Sequence, residues 1–497
     1  MKFSAAVKPV LLALCLTTPL LAGCAVGPDY ITPDFGAPKS WSSDRNRPAQ
    51  TLKLAHWWRN LGDGLLDQLI GDAVAGNLDV AAAKARIREA RATQRQAVGA
   101  LLPSISGTGT ATETRSAGSS SSGTAVSPTT FSQYQAGFDS SWELDLFGAN
   151  RRAVEAAAYS VDAAEDDLRA TLLTLIGDVA SNYIDARAYQ ARAALARRTA
   201  ASQHETAALT ERKQNAGSAS AVDTAKASAL AASTEATIPT YESSYQQAVH
   251  RLGVLLGRDP TALSPRLSRA TAIPSPRLPL PKGIPADVLV MRPDVRKAER
   301  QLAQFTAKIG QATAALYPDV SLTGTVSTSA LKLGDLGKSS TIGWSIGPSL
   351  SVPIFNGGKL QAAVEIAEAQ RDEHHVAWRS AVLSALEDVE NAIVGLSQER
   401  IRIRSLSESA RRYGEAARLS RSLYQTGSST FLDVLDAERS QFTAEDSLLA
   451  SRATLAKNYV ALAKALGGGW SGAIDSSVPE IVDSGTGPHL MQTVETR

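Results

Sequence analysis

Few side chains in this sequence stand at spacings that do chemistry, and two carboxylates lead the short set. Asp433 and Asp436 are three residues apart, which places both on one face of a helix. Crowded carboxylates repel one another, hold their protons more tightly and attract cations, so such a pair can act as an electrostatic constriction. Asp433 also has a plainer reading, because Asp is favoured at the start of a helix as a cap. Asp223 reads as a cap alone. His374 and His375 are adjacent, so they leave different helix faces and lack the i, i+4 spacing of a helical metal pair. Gly334-Asp-Leu-Gly337-Lys338-Ser339 has two residues between its glycines where a phosphate loop needs four. The reading is that there is no Gly-x-Ser-x-Gly, no cysteine nucleophile, no nucleophile–base arrangement for a hydrolase and no cofactor motif. The reading is of a protein that is not an enzyme.

The start of the chain predicts export. Lys2 and Lys8 precede an apolar run from Val10 to Leu21, followed by Leu21-Ala22-Gly23-Cys24. A basic start, a short apolar stretch and small residues before a break make a signal peptide. The run falls short of the roughly 20 apolar residues of a membrane-spanning helix. The small pair before Cys24 resembles the bacterial lipoprotein cleavage box. That resemblance implies a mature chain beginning at Cys24, which would carry diacylglycerol and an N-acyl chain such as palmitate. Ala25, rather than Asp, is compatible with outer-membrane delivery. The alternative is a secreted protein with a free Cys24. The chain has two cysteines, and Cys15 leaves with the signal, so no disulfide is expected in the mature protein.

Composition narrows the class further. A formal net charge of +2 over 497 residues gives no argument for nucleic-acid binding. Aromatic residues are 5% of the chain, few for a conventional globular core, while abundant alanine suits long, closely packed helices. Three methionines are too few to suggest a dedicated copper path.

The elements that must position these residues come in two copies. Asp79-Val80 matches Asp294-Val295, and Leu102-Pro103 matches Tyr317-Pro318, both at an offset of 215. Phe147 and Arg151 match Phe355 and Lys359 at 208. Gly217-Ser218, Asp223, Leu252 and Gly257 match Gly427-Ser428, Asp433, Leu462 and Gly467 at 210. The fall of seven places an insertion in the first copy, in the Ser/Gly-rich stretch 116–130, read as a solvated loop. Each copy reads as helix, strand, loop, strand, long helix, turn, helix.

The strands show their period. Tyr134, Ala136, Phe138, Trp142 and Leu144 alternate with Gln135, Gly137, Asp139, Ser141 and Glu143. Ile342, Trp344, Ile346 and Leu350 alternate with Gly343, Ser345, Gly347 and Ser349. These strands are expected over about 132–147 and 342–355, with partner strands over about 104–112 and 319–329. About ten alternating residues suit a tilted transmembrane strand, although a soluble sandwich would give the same signal. Long helices are expected over about 148–214, 221–256, 358–425 and 430–466, with Pro239 kinking the second. Val154, Val161, Leu168 and Leu175 recur at seven, and Val382, Leu386, Val389, Ile393 and Leu396 step by four and three, as in a coiled coil. Four strands cannot close a barrel, for which about eight is the minimum. Spanning a membrane would therefore require subunits to complete one ring.

The domain organisation follows. Residues 1–23 form the signal, 24–260 the first repeat, 261–285 a linker, 286–470 the second repeat and 471–497 a polar tail.

At this point the chain resembles the TolC-like outer-membrane factors, and within them the NodT-type efflux lipoproteins. The motifs are Cys24-Ala-Val-Gly-Pro-Asp-Tyr30, Leu255-Leu-Gly-Arg-Asp-Pro260, Arg292-Pro-Asp-Val295, Tyr317-Pro318, Pro353-Ile-Phe-Asn-Gly-Gly358, Leu435-Asp-Ala-Glu-Arg439 and Ala465-Leu-Gly-Gly-Gly-Trp470. The resemblance implies an α+β membrane protein. It would be a homotrimer with a twelve-stranded β-barrel in the bacterial outer membrane, continued by a periplasmic α-helical barrel. Segments near Ala55–Ile70 and Leu267–Pro285 would build an equatorial belt. Passive efflux of small molecules, a periplasmic membrane-fusion adaptor and a resistance–nodulation–division inner-membrane pump are implied with it. The resemblance also assigns Tyr424, Asp433 and Asp436 to a periplasmic gate. Ser429 departs from the family pattern, which often has Arg there; Arg421 or Arg439 could substitute. Two other classes compete: a non-conducting structural envelope lipoprotein, which needs no amphipathic strands, and a lipid-anchored hydrolase.

Overall fold

The structure is a computed structural model that describes residues 25–34, 55–117, 120–121, 124–125, 129–276, 292–469 and 474–477. The signal, Cys24, most of the 261–285 linker's second half and nearly all of the tail lie outside the described residues.

Among the described residues the repeat is carried by a series of helices and strands that begins with a 3₁₀ turn at Trp57–Leu61. Helices α1 (Gly64–Gly76) and α2 (Leu78–Gly99) follow, then strand β1 (Ser104–Ser116). The insertion holds a two-residue pair, β2 (Ser120–Ser121) with β3 (Thr124–Ala125), within the stretch expected to be loop. Next come β4 (Thr129–Glu143), the 67-residue helix α3 (Ala149–Asn215), α4 (Ala221–Glu235), α5 (Thr237–Leu255) and the short α6 (Ser264–Leu267). The second copy supplies α7 (Pro293–Ala314), β5 (Asp319–Ala330), β6 (Ile342–Ser351), α8 (Lys359–Thr426) and α9 (Phe431–Ala465).

Two boundaries differ from expectation for local reasons. The strand expected to reach 147 stops at Glu143, because Asp145 turns the chain at φ 41 and its carboxylate caps α3, accepting from Asn150 N at 2.9 Å and Arg151 N at 3.0 Å. The helix expected over 221–256 divides at Ala236 into α4 and α5. Pro239 has no N–H for the carbonyl four residues earlier, and its ring crowds that carbonyl. The matching α9, which has no Pro, runs unbroken for 35 residues.

The described residues fall into two compact units. The first holds the described residues within 25–34, 89–163 and 298–378. It contains an antiparallel sheet in the order β1-β4-β5-β6. Register places Gly107, Phe138, Val326 and Trp344 in one row across the four strands. It places Ser106, Asp139, Thr325 and Ser345 in the row of opposite parity. One face is thus apolar and the other is Ser, Thr, Asp and Gln. The apolar face is uncovered, with Phe138 66% and Trp344 75% exposed. In this unit the segment after Cys24 is also held down. Arg152, nearly buried, donates to the carbonyls of Val26 and Gly27 and to Asp29 at 2.7 Å. Gly27, at φ +90, lies so near Gly310 that a Cβ would meet its Cα at 2.4 Å.

The second unit holds the described residues within 55–88, 164–297 and 379–477. Its core is long-helix packing through small residues, with Ala180, Ala186, Ala196, Ala231 and Ala456 buried beside Ile176, Val179, Ile184 and Leu252. The Trp57–Leu61 turn adds the aromatic part. Trp57 and Trp58 are buried, Trp57 meets Tyr459 edge-on at 6.1 Å, and Asn60 bonds the Tyr459 hydroxyl at 2.9 Å. No described helix is long and apolar enough to cross a membrane.

Candidate functional site

The candidate site is the pair of helix reversals in the second unit, α3 to α4 and α8 to α9. Both are built alike. Gly427, at φ +79, donates to Tyr424 O at 3.2 Å, and Ser428 N donates to Leu423 O at 2.8 Å. Gly217 and Ser218 repeat the pattern on Gln214 and Lys213 at 2.9 and 2.8 Å. Paired bonds of this kind close a helix on a left-handed residue, where glycine has no Cβ to clash.

Each returning helix opens with a capping box. Asp433 Oδ2 accepts from Thr430 N at 3.1 Å, Thr430 Oγ1 at 2.7 Å and Ser429 Oγ at 3.1 Å. Asp433 N in turn points at Thr430 Oγ1. Ser220 and Asp223 form the same box at the head of α4. The hydrogen bonds from Thr430, then that from Ser429, hold the Asp433 carboxyl below the usual range. Carboxylate crowding was expected to raise a pKa here; within one subunit the cap acts in the other direction. Asp436 is exposed and pairs with Arg439 at 3.2 Å, an arrangement of small energetic consequence in solvent.

Tyr424 is buried in a small apolar cluster with Phe431, Val434 and Ala227. Its ring meets Phe431 edge-on at 5.8 Å. Lys213, from the last turn of α3, lies over the ring at 4.5 Å and donates to the Tyr424 carbonyl. The Tyr424 hydroxyl reaches Thr210 at 3.4 Å. One turn further along α9, Glu438 is 3% exposed. Its Oε1 accepts from Arg421 Nη2 at 2.6 Å, Arg421 Nε at 3.0 Å and Thr206 Oγ1 at 2.9 Å. Neither Arg421 nor Arg439 bonds Asp433; the Ser429 hydroxyl does. Glu438, Lys213 and Phe431 were missed by sequence reasoning. Their only signals were a Glu in the Leu435–Arg439 motif and a basic residue ending α3.

Other candidates fall elsewhere. His374 stacks on Phe305 at 3.9 Å and His375 tilts against Trp378 at 5.8 Å. Among the described residues no group of three His, Cys, Asp or Glu side chains could hold a metal. The Gly334–Ser339 stretch joins β5 to β6 through a 3₁₀ turn at Leu333–Asp335, with no helix to cradle a phosphate. Contrary to the expectation that the sequence holds no Gly-x-Ser-x-Gly, Gly343-Trp344-Ser345-Ile346-Gly347 has that spacing of a hydrolase nucleophile. It lies wholly inside β6, with Ser345 against Thr325 at 3.2 Å, and lacks the strand-to-helix turn that would make Ser345 a nucleophile.

The outer membrane efflux protein family model matches residues 69–258 and 284–468, one match to each repeat. The chain belongs to this family. As an outer membrane efflux protein it is a channel component and not an enzyme. It is 35% identical over 463 residues to nodulation protein T of Rhizobium leguminosarum bv. trifolii, covering 92% of this chain and 97% of that protein. It is 30% identical over 475 residues to the cation efflux system protein CusC of Escherichia coli O6:H1, covering 93% and 98%. The structure of the outer-membrane channel OprN superposes with a TM-score of 0.83 at 34% identity, covering 90% of this chain and all of that one. A four-stranded sheet with long helices is thus the family's fold.

Proposed function

We propose that three copies of this chain close one twelve-stranded barrel in the bacterial outer membrane and form a passive duct for small molecules. The observation that carries this reading is the sheet. Among the described residues its two edges, β1 and β6, are unpaired and run in opposite directions, so β6 of one copy can pair antiparallel with β1 of the next. Its apolar face needs a lipid neighbour, and in lipid every backbone group of a sheet must be paired by closure. A ring of such sheets would set Asp139, Thr325 and Ser345 towards water. Energy would come from an inner-membrane pump of the resistance–nodulation–division type, coupled through a periplasmic adaptor, and the pump would choose the cargo. Cys24 would carry the lipid, and Arg152 supports this by holding residues 26–29 against the first unit.

The reversal at Gly427 serves in this reading as the periplasmic gate. Tyr424 packs it, and Asp433 and Asp436 of three copies place six carboxylates around the axis. Single-channel conductance in a planar bilayer tests both parts, comparing wild type with Asp433→Ala/Asp436→Ala. A small, cation-preferring current that grows in the variant is expected. Equal currents would remove the carboxylates from the gate. No current from inserted trimers would leave a structural envelope lipoprotein.

A further inference from the structure

Helices α3 and α9 lie side by side, tied by the Arg192–Asp446 ion pair at 2.7 Å and by Thr206 on Glu438 at 2.9 Å. Between these ties they part around a cavity of about 310 Å³. Arg198, Ser202 and Gln203 line it from α3, Arg421 from α8, and Glu438 and Glu445 from α9.

Three features of the lining bear on what it could hold. Gln203 is 1% exposed, yet neither its amide nitrogen nor its amide oxygen has a hydrogen-bond partner. Buried side-chain amides in native proteins are nearly always paired, so this one points to a guest that brings both an acceptor and a donor. Arg198 forms no ion pair among the described residues, and Glu445 accepts only from Gln441, at 2.8 Å. These two opposite charges stand on neighbouring helices in the same lining.

We propose that this cavity binds a small zwitterion of amino-acid size. Its carboxylate meets the Arg198 guanidinium, its ammonium meets Glu445, and a polar side chain bonds the Gln203 amide. Other occupants fit less well. The lining holds two arginines and two glutamates, so a lone ion has no net charge to answer. Arg421 and Glu438 already neutralise each other. Among the described residues Leu195 is the only apolar side chain in the lining, so an apolar ligand has little to bury against. Water alone would also pair Gln203 and hydrate the exposed Arg198 and the half-buried Glu445, so it is the rival occupant that the test must separate. If the gate reading holds, the guest would also tie α3 to α9 close to the Arg421–Glu438 pair and favour the helix arrangement described here.

The test is thermal melting and calorimetric titration of the full-length detergent-solubilised protein with L-serine and L-glutamine, using glycerol and acetate as controls. A saturable rise in melting temperature with the amino acids, and none with the controls, is expected. Arg198→Ala should weaken binding by about tenfold through loss of a charge-assisted bond, with melting of the free protein unchanged because Arg198 is exposed. Gln203→Leu should abolish the preference for L-glutamine. No saturable effect of either amino acid would overturn the proposal, as would equal affinity in wild type and Arg198→Ala. A Gln203→Leu variant that is stabilised while neither protein binds would identify a cavity for water only. Conductance of the same preparation reports separately whether the channel forms.

Discussion

Lys213 and Tyr424 join the two helical hairpins at their turns. The ammonium of Lys213 lies 4.5 Å from the centre of the Tyr424 ring and donates to the Tyr424 carbonyl. One side chain thus satisfies a carbonyl at the end of α8 and supplies a cation to a buried ring. Lys213→Met keeps the aliphatic length and removes both interactions. A cation–π contact with a desolvated ring is worth up to about 2 kcal/mol. The variant should melt at a lower temperature and pass a larger single-channel current than wild type. Tyr424→Phe should change both little, since its hydroxyl makes one long bond, 3.4 Å, to Thr210. A large effect of Tyr424→Phe with none from Lys213→Met would reverse the assignment.

Asp433 makes the tip sensitive to acid in a defined direction. Its folded pKa is lowered, first by the Thr430 side chain, so its contribution is complete above the ordinary value of 3.8. That contribution is lost as pH falls through the lowered folded value. Melting curves of wild type and Asp433→Asn should therefore differ at neutral pH and still differ near pH 3.8. They should converge in stronger acid. Convergence already above 3.8 would mean that neighbouring subunits raise the pKa by crowding, as the six-carboxylate ring would.

Periodicity and repetition carried much of the architecture. The alternation around Phe138 and Trp344 marks the faces of β4 and β6, and the absence of Pro from 148–214 marks α3. Both signals are local, so they survive in one sequence. The tip was legible only in its backbone chemistry, where Gly427 and Asp433 act within a few residues of their partners. The rest was hidden because the partners are remote. Lys213 meets Tyr424 across 211 residues and Thr206 meets Glu438 across 232, and no local period encodes which turn of α3 faces which turn of α9. The break at Ala236 was foreseen in kind but not in place, because a proline ring disturbs the turn before it rather than its own position.

Glu438 and Arg421 provide a second lever on the same hairpin. Glu438 is 3% exposed and Arg421 keeps about a third of its side chain in solvent. Removing one member of a fully buried pair costs about 3–5 kcal/mol, so Glu438→Gln should cost about 2–3 kcal/mol here, because solvent partly screens Arg421. Arg421→Met/Glu438→Leu should recover most of that loss by filling the space without charge. Chemical denaturation of the three proteins measures the cycle. A double variant as unstable as the single one would show that the bond from Thr206 at 2.9 Å, and not the ion pair, dominates.

The two faces of the sheet should respond oppositely to a new charge. Phe138 and Thr325 lie on adjacent paired strands, one residue apart in register and on opposite faces. Phe138→Arg puts a charge on the apolar face, where an arginine or lysine at mid-depth in lipid costs about 2–4 kcal/mol. Such a cost falls once per subunit, so it is felt three times in a trimer. We expect the SDS-resistant oligomer of Phe138→Arg to be lost or to melt at a lower temperature. Thr325→Lys adds the same charge to the polar face, beside Asp139 and Ser345. Water is available there, so assembly should be unaffected while the reversal potential in a salt gradient moves towards anion preference. A Phe138→Arg protein that assembles normally, beside a Thr325→Lys protein that does not, would turn the sheet inside out and place its apolar face in the lumen.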